Sequence, residues 1–212
     1  VKAPRTLPRT RRSGAGRRSA GITSSIEEHH CDHVEQNPRA PSHPSVPARG
    51  RVGGDSIRVD TPLKGHVFGG NGADAYFAGT AAGPTEISYN GGNGSDYVVY
   101  SESTQPVRVS LDDSEPGGGP DGRLAFGDRD DIRSDVENIT GSDFDDNLAG
   151  SEVANLIEGG LGKDQMFGFG GADTLRAKEG AKDGVIACGT GTDAAIVDSV
   201  DPTTLSCENV TK

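Results

Sequence analysis

The feature that most restricts the fold is a nine-residue repeat. Residues 141–176 divide without gaps into GSDFDDNLA, GSEVANLIE, GGLGKDQMF and GFGGADTLR. Position 1 is Gly141, Gly150, Gly159 and Gly168; position 6 is Asp146, Asn155, Asp164 and Asp173; position 8 is Leu148, Ile157, Met166 and Leu175. Two further units lie upstream, GGNGADAYF at 69–77 and GGNGSDYVV at 91–99, and a looser one, CGTGTDAAI, at 188–196. They place Asp74, Asp96 and Asp193 at position 6.

The units share the template GGxGxDxUx, with U a large apolar residue. Those at 69, 91 and 159 match its three glycines and its aspartate in full. At this chain's Gly and Asp content, chance supplies on the order of 0.1 such windows. Each position has a physical reason. Glycine adopts positive φ without a Cβ clash, so the first six residues close into a tight turn whose carbonyl oxygens converge. The position-6 aspartate adds a carboxylate there. Positions 7–9 extend into a short strand, and the position-8 side chain turns inward. Two units complete a coil, and turns two units apart stack at about 4.8 Å, the inter-strand spacing. Oxygens from two stacked turns suit Ca²⁺, which takes about 6 to 8 oxygen ligands at roughly 2.3 to 2.6 Å.

Composition agrees with a repeat rather than a large mixed core. Glycine is 32 of 212 residues, aromatic residues are 5%, and Trp is absent. The net charge of -11 is unevenly spread. Residues 1–51 carry ten Lys and Arg against four acids, whereas 52–212 carry eleven against 28. A body so acidic repels nucleic acid and anionic membranes and attracts cations. No apolar run reaches the roughly 18 residues of a membrane helix, and the basic start VKAPRTLPRTRR has no apolar run of a signal peptide behind it.

The chain divides by composition. Residues 1–51 are rich in Pro, Arg and Ser without apolar periodicity and read as a disordered basic tail. Residues 52–140 form an irregular β-region holding two nonapeptide units, with short alternating runs such as SIRVD, EISY and PVRVSL. Residues 141–198 form the calcium-binding roll, and 199–212 a C-terminal cap. The fold class is all-β, a parallel β-roll or β-helix of nonapeptide repeats. The acid-rich stretch 112–131 lacks the ligand spacing of an EF-hand and reads as a flexible excursion.

These residues resemble the haemolysin-type (RTX) calcium-binding repeats over roughly residues 69–198. The resemblance implies a right-handed parallel β-roll with Ca²⁺ between successive turns, secretion, and folding that requires calcium. The expected metal-site residues are Asp74, Asp96, Asp146, Asn155, Gly159, Gly160, Gly162, Asp164, Gly168, Gly170, Asp173 and Asp193. Eighteen-residue coils pair Asp146 with Asp164 and Asn155 with Asp173 on opposite sides of the roll. Several units depart from the template. Ser142 and Phe144, then Ser151 and Val153, replace glycines, and Asn155 keeps an oxygen but no charge, which weakens a site there. The units at 69 and 91 are 22 residues apart, so their stacking needs an excursion through AGTAAGPTE. Ala195 at position 8 of the last unit is a poor core residue and suggests closure of the roll.

Cys188 and Cys207 bracket the last coil and are expected to pair in an extracellular protein. The cluster His29, His30, Cys31, Asp32, His33 has no second ligand group at zinc-site spacing. No HExxH, GxSxG or P-loop motif occurs, and His66 is the one histidine of the body. The expectation is a secreted, non-enzymatic calcium-binding protein. A calcium module of a secreted hydrolase or protease, or a surface adhesion protein with a cell-surface or matrix partner, are the alternatives.

Overall fold

The computed structural model describes residues 45–49 (backbone only), 53–112, 120–202 and 204–212. The remainder of the expected tail, with its HHCDH cluster, lies outside the described residues. Short alternating segments between Gly and Asp turns become strands. In chain order these are β1 Ser45–Arg49, β2 Ser56–Val59, β3 Lys64–Asn71, β4 Ala75–Ala78, β5 Glu86–Asn93 and β6 Tyr97–Val99. They continue with β7 Val107–Ser110, β8 Gly122–Arg123, β9 Asp131–Ile132, β10 Asn138–Thr140, β11 Asn147–Ala149, β12 Leu156–Glu158 and β13 Gln165–Phe167. The last six are β14 Gly170–Gly171, β15 Thr174–Ala177, β16 Val185–Ala187, β17 Thr190–Gly191, β18 Ala194–Val197 and β19 Asn209–Thr211. No helix occurs among the described residues, so none is long and apolar enough to cross a membrane.

The strands stack in parallel into a β-solenoid of about 7 turns. One face is an eight-stranded sheet in the order β2-β4-β6-β10-β12-β15-β18-β19. The opposite face has two sheets, β1-β3-β5-β9 and β8-β7-β11-β13-β16, all parallel except β7 with β8. The long sheet crosses residue 140 without a break, so the irregular region and the regular repeat share one solenoid. Ser45–Arg49, at the end of the expected tail, forms a parallel strand on β3.

Register explains the apolar spacing. On the long sheet Ile57, Tyr76, Val98, Ile139, Ile157, Leu175 and Ala195 occupy one column, each directly paired with the next. Facing it, Val109, Leu148, Met166 and Ile186 form a second column. All eleven are buried. Such identical stacking places each side chain against its counterpart one coil away, and dispersion plus burial of these columns is the main apolar stabilisation. Ala195 does not end the roll: β19 stacks on β18, and the Cys188–Cys207 disulfide ties this final coil down.

The excursion at 112–131 is partly built into the fold. Residues 113–119 lie outside the described residues, but 120–131 pack against the solenoid. Asp121 accepts the Ser110 and Ile132 N–H groups at 2.8 and 2.7 Å, and Asp130 accepts the Ile87 N–H at 2.8 Å. Arg123, only 3% exposed, pairs with Asp128 at 2.8 Å and donates to the Ala81 and Gly83 carbonyls. Here acids satisfy backbone donors and one arginine, and a buried charge so paired holds its segment in place.

Candidate metal centre

Along each edge of the solenoid, the turns bring their position-6 residues into a ladder. On one edge the Asp55 N–H donates to Asp74 Oδ1 at 2.7 Å, and Asp74 N–H to Asp96 Oδ1 at 2.8 Å. Asp96 N–H then donates to Glu137 Oε2, Asn155 N–H to Asp173 Oδ1, Asp173 N–H to Asp193 Oδ1 and Asp193 N–H to Glu208 Oε2, each at 2.8 Å. On the other edge Val107 N–H donates to Asp146 Oδ1 at 2.8 Å, Asp146 N–H to Asp164 Oδ1 at 2.9 Å and Asp164 N–H to Asp183 Oδ1 at 2.8 Å. Asp183 N–H reaches Asp201 Oδ1 at 3.1 Å. One oxygen of each of these acids therefore satisfies the backbone donor one coil earlier, whereas Asn155 donates its Nδ2 to the Glu137 carbonyl at 2.9 Å. Asp146 stacks with Asp164, and Asn155 with Asp173, on opposite edges as their spacing predicts.

The second oxygen separates two kinds of turn. In the serine turns it is consumed. Asp146 Oδ2 accepts the Ser142 N–H at 2.5 Å and the Ser142 hydroxyl at 3.0 Å, and Asn155 Oδ1 accepts the Ser151 N–H at 2.7 Å. In the glycine turns, and in the out-of-phase turn that ends at Asp183, it is left over. The Oδ2 atoms of Asp74, Asp96, Asp164, Asp173, Asp183 and Asp193 are buried and have no hydrogen-bond partner. The backbone accounts for the difference. Gly160 and Gly162 take φ of 99° and 121°, whereas Ser142 and Phe144 at the matching positions of the preceding coil do not enter this region. Phe169 holds the same place at φ 72°, and Gly170 sits at position 3, in β14 beside Thr190.

The leftover oxygens of Asp74, Asp96 and Asp173 face further acceptors. A Cβ on Gly91 would lie 2.5 Å from Asp96 Oδ2 and 2.6 Å from the Asp135 carbonyl oxygen. At Gly69 the same volume is bordered by Asp74 Oδ2 and the Gly91 carbonyl, and at Gly168 by Asp173 Oδ2 and the Cys188 carbonyl. Position 1 is glycine because oxygens of its own turn and of the next coil fill the place of a side chain. Oxygens gathered without a donor between them call for a proton or a cation. The arrangement thus fits a hard cation, which takes carboxylate and carbonyl oxygens together.

Electrostatics agrees. Burial raises the carboxyls of Asp74 and Asp96 above their ordinary range. Burial first, then repulsion from Asp193, pushes Asp173 up to about 6. Burial, with repulsion from Asp146 and Asp183, pushes Asp164 up to about 7. Asp146 rises to about 6, also through burial, despite its serine and backbone donors.

Asp183 and Glu179 belong to this site although the nine-residue phase misses them. Between β15 and β16 the coil carries two extra residues: 20 separate Gln165 from its partner Val185, where 18 separate Asn147 from Gln165. That insertion brings Glu179 to Asp164 and Asp183, and one carboxylate oxygen from each lies within 4.8 Å of the others. Burial pushes Glu179 up to about 8 and Asp183 to about 6, with neighbouring aspartates adding to both. The missing signal was an aspartate out of phase, followed by Gly184 and an apolar pair. No protein-family model matches the chain, and no curated protein matches it in sequence.

Proposed function

We propose that this protein binds calcium between stacked glycine turns and that binding drives its folding. The observation that carries the reading is the set of buried, unpartnered Oδ2 atoms, which fall in stacked pairs: Asp74 with Asp96, Asp173 with Asp193, and Asp164 with Asp183. Each pair stacks two carboxylates one coil apart, and turn carbonyls border the free oxygens of Asp74, Asp96 and Asp173. Asp146 and Asn155 stand as structural rungs or weaker ligands, because Ser142 occupies the second carboxylate oxygen of Asp146 and Ser151 the single amide oxygen of Asn155.

Calcium would neutralise the ladder and complete the oxygens' coordination; the chain itself supplies the spacing and the backbone donors that hold Oδ1. Binding free energy becomes folding free energy in such a case, since the unfolded chain presents no preformed site. Carboxylate-poor sites of this kind fall in the extracellular affinity class of about 10⁻⁴ to 10⁻³ M. Secretion is part of the proposal, supported by the Cys188–Cys207 disulfide, which suits an oxidising compartment. The reading assigns binding and no catalytic step.

Equilibrium dialysis with calcium tests it on the wild type and on Asp74→Asn/Asp96→Asn. The wild type is expected to bind several ions and the double variant one fewer. A wild type that binds none, or a variant with unchanged stoichiometry, would defeat the assignment.

A further inference from the structure

The three stacked pairs are not alike. Asp74/Asp96 and Asp173/Asp193 offer two carboxylates each, from turns of regular length. At Asp164/Asp183 the two-residue insertion adds the Glu179 carboxylate to the same volume. Asp164 and Asp183 are 0% and 1% exposed, and Asp164 Oδ2, Asp183 Oδ2 and Glu179 Oε1 are all buried without a hydrogen-bond partner. One carboxylate oxygen from each of the three residues lies within 4.8 Å of the others, and each residue keeps a buried oxygen without a hydrogen-bond partner.

The neighbours do not relieve them. The charges acting most on Glu179 are the carboxylates of Asp183, Asp164, Asp201 and Asp198. Two of these are already engaged. Asp198 Oδ2 accepts the Gly180 N–H at 2.5 Å, and Asp201 accepts the Asp183 N–H at 3.1 Å and the Asp198 N–H at 2.5 Å. They add negative potential around the three carboxylates. The buried oxygens of this cluster without a hydrogen-bond partner are those of Asp164, Glu179 and Asp183.

We infer that Asp164, Glu179 and Asp183 form a three-carboxylate calcium site, tighter than the two-carboxylate sites elsewhere in the roll and filled first. The inference rests on the calcium reading above but goes beyond it, because the regular repeat contains no counterpart of Glu179. Ligand charge count and rigidity set calcium affinity, so the added carboxylate should tighten this site about 10- to 100-fold over the others.

Calcium titration calorimetry on the full chain tests it, comparing wild type with Glu179→Gln. The wild type should show one tight ion ahead of a weaker class. Glu179→Gln should lose the tight class alone and leave the weaker one in place. Identical isotherms, or wild-type sites that are all equally weak, overturn this inference while leaving the calcium reading intact; a wild type that binds no calcium defeats both. Anomalous diffraction from wild-type crystals grown with one equivalent of calcium needs no variant. The ion should appear among Asp164, Glu179 and Asp183, and finding it at either two-carboxylate pair instead overturns the inference.

Discussion

Removing calcium should make folding depend on pH in the direction opposite to ordinary acid denaturation. The perturbation is calcium-stripped protein compared at pH 5 and pH 8. Asp173 is 1% exposed, and its carboxyl moves from 3.8 to about 6 in the folded protein. A folded value above the unfolded one means that the folded state holds more protons. The stability is then fully present below about pH 4 and is lost as pH rises through 6. At about 1.4 kcal/mol per pH unit, the ionised Asp173 costs roughly 3 kcal/mol at pH 8 without a cation. Asp146 and Asp183 shift comparably, and Asp164 further, to about 7. These carboxylates repel one another, so their costs are not independent, but all act in one direction against a domain stability of roughly 5 to 15 kcal/mol. Far-ultraviolet circular dichroism with urea melts reads this out. The stripped protein should keep β-structure at pH 5 and lose it at pH 8. In saturating calcium the trend should reverse, since protons then compete with the ion. Equal stability of the stripped protein at both pH values would refute the electrostatic argument.

Three substitutions follow from the same geometry. Asp173→Asn keeps an acceptor for the Asn155 N–H, 2.8 Å away in the wild type, but removes the charge. It should move unfolding of the stripped protein to higher pH while weakening calcium binding, and a loss in both media would mark Asp173 as purely structural. Gly91→Ala places a Cβ against Asp96 Oδ2 and the Asp135 carbonyl, and should cost about 1 to 3 kcal/mol in calcium melts together with one bound ion. Wild-type stability and stoichiometry would contradict the crowding at position 1. Replacing Cys188 and Cys207 by Ser opens a loop with a sequence separation of 19 and should lower the urea stability by roughly 3 kcal/mol; an unchanged midpoint would show that the cap holds without the disulfide.

The coil itself was legible because position 8 repeats a single physical demand. Leu148, Ile157, Met166 and Leu175 are each completely buried, two on each face, as a nine-residue half-coil requires. The stacking of the units at 69 and 91 was legible too: Gly70 pairs with Gly92 across the 22-residue step, with the excursion looped out. What the repeat could not reveal is the fate of the second carboxylate oxygen. Replacing the glycines around Asp146 and Asn155 reads in sequence as a weaker turn, but Ser142 and Ser151 also donate into the site. Nor does a strict period find Glu179 and Asp183, since two inserted residues move them out of phase while the ladder of hydrogen bonds keeps them in register. The ordered half of the excursion was hidden for a similar reason. Its acids read as solvated, yet Asp121, Asp128 and Asp130 are buried against backbone donors that only the folded solenoid presents.

The most direct test of the central claim is a calcium titration of stripped protein at pH 8, followed by far-ultraviolet circular dichroism. The account predicts a cooperative gain of β-signal on adding calcium, complete by about 10⁻³ M and reversed by chelator. A β-signal that is already full in chelator, and that calcium leaves unchanged, would contradict it.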